Sequence, residues 1–232
     1  MKVTIHQPSY WPWLGLLDKI AKAEKFIILD DVAANKASFQ YRNQFFCNGS
    51  NKNLTLPVNH RLGKKLNELR LKNDNWKKDH LNKLKNYYLK APYFNSIFPD
   101  IENLYHSFEG DKALEFIFDT MKFSFSFLNI TVDTIFSSEM KSNEVKGDLV
   151  IDLCNKVNAR TYLSGKGAEQ YLDDDHLRKF MENGVDLEWH YFEHPIYSQH
   201  NKFDFISGLA CLDLFFWNGR KNSCEIFWKN IK

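Results

Sequence analysis

Cysteine is scarce in this chain of 232 residues, and long apolar runs are missing from it. The four cysteines, Cys47, Cys154, Cys211 and Cys224, are widely spaced and form no C-x-x-C pair. This spacing argues against a disulfide framework and a zinc ribbon, and it is typical of a reduced compartment. No apolar run approaches the roughly 20 residues of a membrane-spanning helix, and no secretory apolar region follows the first residues. The sequence therefore predicts a cytoplasmic protein without a membrane span.

Neither positive nor negative charge is in large excess. The chain has 31 Lys and Arg residues against 29 Asp and Glu residues, which gives a formal net charge of +2. Such a balance provides no general electrostatic attraction for nucleic acid. The most basic stretch, residues 64–90, also contains acidic side chains and is typical of a solvated helical face. We therefore expect no nucleic acid template among the partners.

Several motifs of catalytic and metal sites are absent. The chain contains no Walker loop, no G-x-G-x-x-G fingerprint, no H-E-x-x-H pair and no G-x-S-x-G elbow. His190, His194 and His200 are close in sequence and could supply a zinc site with Glu193 or Asp30. Their spacing crosses an apparent strand and loop, so the sequence predicts no metal site and assigns no cofactor.

Aromatic residues, by contrast, are abundant. The chain has 20 Phe, 10 Tyr and 6 Trp residues, together 16% of its length. The length suits one sizeable core, or one core with an inserted subdomain. We expect much of the aromatic content to pack inside that core and some of it to line a ligand cleft.

The most informative stretch is residues 6–13, with the sequence HQPSYWPW. It lies between a predicted strand, residues 2–5, and a predicted helix, residues 16–23. The strand cannot continue through two prolines, because proline offers no donor to a β-ladder. One interpretation is a rigid aromatic loop that holds His6 and Gln7 at the end of a strand, where α/β proteins bind ligands. The other is that the rings simply fill one end of the core.

Strands and helices alternate along much of the chain, as in α/β proteins. The predicted strands are residues 2–5, 26–29, 131–136, 160–163 and 187–191. The predicted helices beside them are residues 16–23, 147–157 and 207–217, the last of which is closed by Asn218 and Gly219. Helical crossovers make the strands parallel. The sequence therefore predicts an α/β fold with a mostly parallel, Rossmann-like sheet.

Two further features distinguish the predicted fold. Residues 38–46 and 53–58 form a predicted β-hairpin around the turn-forming residues 47–52, and residues 66–71 are a further candidate strand. A helical middle segment follows, with helices at residues 74–90, at 93–106 with a break or bend at Pro99, and at 110–128. The predicted division is residues 1–72, residues 73–129 and residues 130–232, the last completing the same sheet.

Polar residues follow five of the predicted strands. They are His6 and Gln7, Asp30 and Asp31, Ser138 and Glu139, Ser164 to Lys166, and Glu193 and His194. The carboxyl ends of parallel strands lie at one edge of a sheet, which is where such sheets bind ligands. We therefore expect these residues to converge in one cleft, with His6, Asp30, Ser164 and His194 at its centre and Trp11, Trp13 and Tyr197 in its walls.

Two segments are candidates for binding an anion. The turn SGKGA, residues 164–168, could present backbone N–H groups to a phosphate or carboxylate, or it could be an ordinary glycine turn. Arg42 could point its guanidinium at the same kind of group, because a bidentate fork matches carboxylate and phosphate. The alternative for Arg42 is an exposed strand arginine.

Blocks spread over essentially the whole chain carry a family resemblance. In chain order they are His6-Gln7-Pro8-x-Tyr10-x-Pro12-Trp13-x-Gly15, Leu29-Asp30-Asp31-Val32, Tyr41-Arg42-Asn43, Leu54-Thr55-Leu56-Pro57-Val58, Tyr162-Leu163-Ser164-Gly165-Lys166-Gly167-Ala168 with Tyr171-Leu172, His194-Pro195-x-Tyr197-x-Gln199, and Ser207 to Asp213 with Asn218-Gly219. Taken together, these blocks resemble the WbqC-like family of bacterial proteins.

The resemblance implies a component of O-antigen or related surface-glycan pathways that attaches an acyl or aminoacyl group to the amine of a nucleotide-linked amino sugar. The implied partners are a nucleotide-linked sugar and an acyl or aminoacyl donor; the oligomeric state is not predicted. In such an enzyme His6 or His194 would be the base and Asp30 or Asp31 would orient it. The implied substrate-binding residues are Gln7, Tyr10, Trp13, Arg42, Asn43, Ser164, Lys166, Tyr197 and Gln199.

Two alternatives belong to other classes. One is a non-catalytic sugar-nucleotide-binding or scaffold protein of the same pathway, for which the aromatic segments would serve equally well. The other is a fainter likeness to the strand, histidine loop and helix that begin nucleotidylyltransferases. The second histidine of their H-x-G-H signature is missing here, so the sequence does not predict adenylation by ATP.

Overall fold

The computed structural model describes residues 1–35, 39–59, 63–72 and 75–231, and it contains two compact units. The first unit comprises Met1–Gln7, Asp18–Val32 and Thr131–Phe192, and the second comprises Pro8–Leu17, Ala33–Ile130 and Glu193–Lys232. This grouping differs from the predicted division into residues 1–72, 73–129 and 130–232, which stays a prediction. Ser38 and Asp74, where an extended run and a helix were predicted to begin, lie outside the described residues.

The strands of the described residues are β1 (Lys2–His6), β2 (Lys25–Ile28), β3 (Arg42–Cys47), β4 (Ser50–Thr55), β5 (Asp133–Phe136), β6 (Thr161–Gly165) and β7 (Asp186–His190). The α-helices are α1 (Leu14–Ala21), α2 (Trp76–Tyr88), α3 (Phe94–Ser107), α4 (Ala113–Leu128), α5 (Ser137–Met140), α6 (Lys146–Lys156), α7 (Asp174–Glu182) and α8 (Leu212–Asn230). Short 3₁₀ helices cover Leu66–Glu68 and Lys166–Gln170.

The first unit is built on a five-stranded sheet in the order β5-β2-β1-β6-β7, and all four pairs of neighbours are parallel. The chain builds outward from β1 through β2 to β5, and then returns to the other side of β1 with β6 and β7. The order therefore reverses between β1 and β6, which is the position where open parallel sheets form a ligand crevice beyond their carboxyl ends. The predicted α/β fold with a Rossmann-like sheet is confirmed.

Apolar side chains hold this sheet against its helices. The middle residues of the short strands β1 and β2 are buried on both faces, as expected of parallel strands covered on both sides. The buried cluster of this unit is Val3, Ile5, Ile27, Val150, Ile151, Leu153, Cys154, Ala159, Tyr162, Ala168, Leu172, Phe180 and Val185. This core fixes the carboxyl ends of the strands, from which the polar residues of the first unit project.

The second unit contains the predicted β-hairpin. Strands β3 and β4 pair antiparallel from Arg42 opposite Thr55 to Cys47 opposite Ser50, so the connecting loop is two residues long. Those residues, Asn48 and Gly49, both have positive φ, at 48° and 76°. Asn-Gly is the preferred pair for such a turn because both residues tolerate the left-handed region. The loop is shorter than the predicted residues 47–52.

Aromatic rings form much of the core of the second unit, which explains their abundance. Tyr88 stacks on Phe216 at 4.8 Å between ring centroids, and Phe127 stacks on Phe215 at 4.0 Å. The helical middle segment is confirmed by α2, α3 and α4, and α3 runs through Pro99 as one helix. No helix among the described residues is long and apolar enough to cross a membrane.

The structure corrects three details of the predicted elements. Residues 66–71 contain a 3₁₀ turn rather than a strand, with Arg70 and Leu71 in isolated bridges. The last helix begins at Leu212 rather than at residue 207, and it continues beyond a kink at Gly219 instead of ending there. Helix α7 was not predicted, although Asp173 caps its first turn by accepting from the backbone N–H of His176.

The kink in α8 supplies a test of local packing. Gly219 has φ 70°, and a Cβ at this position would lie 2.6 Å from the ring of Tyr93. We expect Gly219→Ala to lower the free energy of unfolding by roughly 2–4 kcal/mol, because left-handed strain and overpacking add. Gly208→Ala is the matched control: φ is 73° but no atom lies within 4 Å of its Cβ, so only about 1 kcal/mol of strain is expected. If urea unfolding shows equal losses of stability for Gly219→Ala and Gly208→Ala, the predicted clash with the Tyr93 ring is contradicted.

Candidate functional site

A cavity of about 280 Å³ lies at the carboxyl ends of β1 and β6, within the first unit. Its position is the point where the strand order of the sheet reverses. The residues that line it include His6, Gln7, Lys19, Gly165, Gly167 and Tyr171. A concave site with few polar groups at this point of a parallel sheet is the expected form of a small-molecule site.

His6 ends β1 and faces this cavity. Its Nδ1 lies 2.7 Å from the carbonyl oxygen of Gln7. Because a carbonyl only accepts hydrogen bonds, Nδ1 must carry the proton, and Nε2 is then the ring nitrogen with a lone pair. Burial, together with the nearby charge of Lys19, lowers the pKa of His6 to about 3. His6 is therefore a neutral imidazole with its accepting nitrogen fixed.

Lys19 brings a buried ammonium group to the same cavity. It lies in α1, its residue is 4% exposed, and its Nζ donates to the carbonyl oxygen of Ile5 at 3.2 Å. Burial lowers the pKa of Lys19 to about 8. The group is therefore still charged at neutral pH.

A buried acid–base pair lies next to this cavity. His190 ends β7 directly opposite Gly165 of β6, and its Nε2 lies 2.5 Å from Oδ2 of Asp18. Lys22 also pairs with that oxygen at 2.9 Å. The carboxylate fixes the orientation of the His190 ring, an arrangement that enzymes use to position a histidine.

Asp30 and Asp31 anchor the ends of β2 and β5 to each other. Asp30 is 3% exposed, and its carboxylate accepts from the backbone N–H of Ser138 at 3.0 Å and from the Ser138 hydroxyl at 2.7 Å. The Ser137 hydroxyl lies 3.1 Å from Asp30 and 2.5 Å from Asp31. These bonds indicate an anchoring role, while the predicted catalytic role of the two aspartates stays a prediction.

The other candidates of the first unit differ in exposure. Gln7 is half-buried and lines the cavity. Ser164 is fully buried, and its hydroxyl donates to the carbonyl of Gly165 at 3.4 Å. Lys166 is exposed, with its ammonium 4.9 Å from the centre of the Tyr191 ring. Of these three predicted substrate contacts, Gln7 is the one that lines the cavity.

In the second unit, Tyr10 and Asn43 hold the aromatic loop. Both residues are fully buried, and the Asn43 side chain donates to the backbone carbonyls of Tyr10 and Trp11 at 3.3 and 2.7 Å. Trp11 has φ 44°, an unusual value for a bulky residue. Tyr10 bonds His80 at 2.9 Å and also the hydroxyl of Tyr105. In this structure neither Tyr10 nor Asn43 presents a surface to a ligand; both stabilise the loop.

Trp13 and Arg42 are the more accessible candidates of this unit. Trp13 is 37% exposed and forms an isolated bridge with Ala210. Arg42 is half-buried at the start of β3, and its Nε has no hydrogen-bond partner among the described residues. Their predicted contacts with substrate stay predictions.

The block with His194, Tyr197 and Gln199 is fixed by a buried carboxylate. Asp213 in α8 is fully buried, and its Oδ2 accepts from the Tyr197 hydroxyl at 2.9 Å and from the Gln199 amide at 2.6 Å. Burial raises the pKa of Asp213 to about 7. The His194 ring donates from Nδ1 to the carbonyl of Pro195 at 2.9 Å, and burial lowers its pKa.

The predicted members that share the first unit lie at one edge of its sheet, and His6 is the one of them that lines the cavity, so their convergence in one cleft stays a prediction. His6, Asp30 and Ser164 lie at or just beyond the carboxyl ends of β1, β2 and β6 in one parallel sheet. His194 belongs to the second unit, and its place beside them stays a prediction. Across the described ranges, no three His, Cys, Asp or Glu side chains form a metal-binding group.

Comparison with known proteins agrees with the motifs that these residues form. The model of the WbqC-like protein family matches residues 7–224. The chain belongs to the WbqC-like protein family. This WbqC-like protein is also 27% identical over 219 residues to an uncharacterized protein of Mycobacterium tuberculosis, Rv1507c, and the match covers 93% of each chain. No solved structure matches the chain significantly.

Sequence reasoning missed three polar residues of this WbqC-like protein. Asp18 and Lys19 lie in α1, whose residues 14–20 are all buried, and His190 was considered only as a zinc ligand. A signal was present, since Asp18 and Lys19 are adjacent charges in a short helix that is otherwise apolar. Charges in such a helix either reach solvent or serve a buried site, and the sequence alone does not separate these cases.

Proposed function

We propose that this WbqC-like protein is an enzyme of O-antigen or related surface-glycan biosynthesis. It attaches an acyl or aminoacyl group to the amine of a nucleotide-linked amino sugar. The observation that carries the proposal is a neutral histidine, His6, whose lone-pair nitrogen is fixed by the Gln7 carbonyl and which lines a small-molecule cavity.

The chemistry requires a proton acceptor. An amino sugar is protonated near neutral pH, and its nitrogen must lose a proton before it attacks an acyl carbonyl. The new C–N bond then forms while the bond between the acyl carbon and its carrier breaks. In this proposal Nε2 of His6 accepts the proton from the amine, and the Gln7 side chain is a candidate donor to the developing oxyanion.

The size of the cavity limits what it can hold. Small-molecule sites commonly enclose about 300–1,000 Å³, and this cavity of about 280 Å³ is at the lower end. It suits the reacting part of a nucleotide-linked sugar rather than the whole molecule. Lys166 of the first unit remains a proposed contact for the remainder, and the substrate contacts of Trp13, Arg42, His194, Tyr197 and Gln199 stay predictions.

Product formation tests the proposal directly. The purified protein is incubated with nucleotide-linked 3-amino and 4-amino sugars and with acyl-thioester or aminoacyl donors, and products are identified by mass spectrometry. The expected result is a product heavier by the acyl group and lacking the free amine. Saturable binding of the sugar nucleotide without product would instead support a non-catalytic binding or scaffold protein, and absence of both would overturn the proposal.

A further inference from the structure

Lys19 is a cation that the fold buries without a counter-charge. Its residue is 4% exposed, and none of the ion pairs found among the described residues includes it. The hydrogen bond from Nζ to the carbonyl of Ile5 uses one of three ammonium donors. Burying a charge without a partner is costly, and such groups are found where a ligand needs them.

The neighbouring carboxylate does not offset this charge. Asp18 precedes Lys19 in α1, but its Oδ2 pairs with His190 at 2.5 Å and with Lys22 at 2.9 Å. The other titratable groups that line the cavity, His6, Tyr162 and Tyr171, are neutral, because burial lowers the pKa of His6 and raises the pKa of both tyrosines. The cavity therefore has an unbalanced positive charge on its wall.

Space for a ligand lies directly beside the ammonium. Gly165 and Gly167 line the same cavity, and a Cβ built on Gly165 would lie 3.8 Å from Nζ of Lys19. The absence of a side chain at Gly165 thus leaves the ammonium open to the cavity. Lys166, the lysine that the family resemblance implies as a substrate-binding residue, is exposed and lies over the Tyr191 ring.

We propose that Lys19 binds an anionic oxygen group of the ligand, a phosphate or a carboxylate, inside the cavity at the ends of β1 and β6. The negative charge of the ligand is inferred from Lys19 alone. The identity of the molecule that carries this charge rests on the proposed function, in which a phosphate would belong to the nucleotide-linked sugar and a carboxylate to the acyl or aminoacyl donor.

Anion binding would also act on His6. The positive charge of Lys19 is the second cause of the low pKa of His6, after burial. An anion beside Lys19 opposes that charge and raises the pKa of His6. The imidazole thereby becomes a better proton acceptor when the cavity is loaded than when it is empty.

The test uses sulfate as a phosphate mimic, because its charge does not change near neutral pH, and acetate as the carboxylate. Both are titrated into the wild-type protein and into Lys19→Met by NMR and by thermal unfolding. We expect at least about tenfold weaker binding of the preferred anion in Lys19→Met, since a charge-assisted hydrogen bond is lost. Wild-type affinity should fall above a pH of about 8, where Lys19 loses its proton.

Thermal unfolding separates binding from a structural role. Without anion, Lys19→Met should melt no lower than wild type, because the variant buries no unpaired charge. Lys22→Met is the matched control, since Lys22 directly follows the same helix, and it should keep wild-type anion affinity. A Lys19→Met protein that binds both anions like wild type, or a loss of binding in Lys166→Met instead, would overturn the proposal.

Chemical labelling of lysines tests the proposal on the wild-type protein, so the result does not depend on whether a variant folds. Acylation of lysines by a water-soluble active ester is mapped by mass spectrometry with and without sulfate or acetate. Protection of Lys19 but not of Lys22 supports the proposal, and equal labelling of Lys19 in all conditions overturns it. If anion binding depends on Lys19 but no amide product forms, this inference is supported and the proposed function fails. If the amide product forms but anion binding does not depend on Lys19, the proposed function is supported and this inference fails.

Discussion

His6→Ala is expected to form the amide product at least about 100-fold more slowly than the wild-type protein, because a positioned general base contributes roughly 10²–10⁴ in rate. The reason is geometric. The Gln7 carbonyl holds the proton on Nδ1, so Nε2 is the nitrogen left to accept one from the amine. Initial rates at saturating donor, followed by mass spectrometry, measure the effect.

The same assay, applied to His6→Ala and His194→Ala, distinguishes between the two histidines that were predicted as candidates for the base. The variant that removes the base lowers kcat, whereas one that removes a substrate contact mainly raises KM. His106→Ala is the control, because His106 is exposed in the last turn of α3. A His6→Ala rate within about threefold of wild type would sink the role given to His6.

The parallel sheet could be predicted because its signals are local. Short apolar strands such as Phe26–Leu29 alternate with helices of crossover length, and right-handed crossovers leave few topologies. Helix α7 was missed although Asp173 is a capping residue at its start. Gly219 was interpreted as a helix end because glycine usually terminates helices, whereas here it produces a kink within one.

The candidate site was predictable only in part. His6 and Gln7 stand out at a strand end next to proline, and they line the cavity. Tyr10 and Asn43 belong to the same family motifs, yet they are buried and hold the aromatic loop. A motif includes the residues that keep a loop in shape together with those that meet a ligand, and their types alone do not distinguish the two. Lys19 was missed because burial on every side of a short helix depends on tertiary packing.

Asp213→Asn should become more stable relative to wild type as the pH rises from about 4 to 8. Burial raises the pKa of Asp213 from 3.8 to about 7. Between these values the folded chain binds a proton that the unfolded chain has released, so wild-type stability falls as the pH rises through this window. At about 1.4 kcal/mol per pH unit, the difference reaches at most about 4 kcal/mol. Asparagine keeps an oxygen that can accept from Tyr197 and Gln199, but it does not ionise.

The difference between two proteins is the quantity to measure, because other buried groups act in the opposite direction. The pKa values of His6 and His80 are lowered to about 3 and about 4, so both make stability rise with pH up to their ordinary value of 6.5. These contributions are the same in wild type and Asp213→Asn and cancel in urea unfolding at matched pH. Asp213→Ala should be less stable than Asp213→Asn at every pH, since it leaves the Tyr197 hydroxyl and the Gln199 amide without their acceptor. Parallel pH profiles for wild type and Asp213→Asn would show that the carboxyl group does not titrate in this range, and that Asp213 is ionised whenever it holds Tyr197 and Gln199.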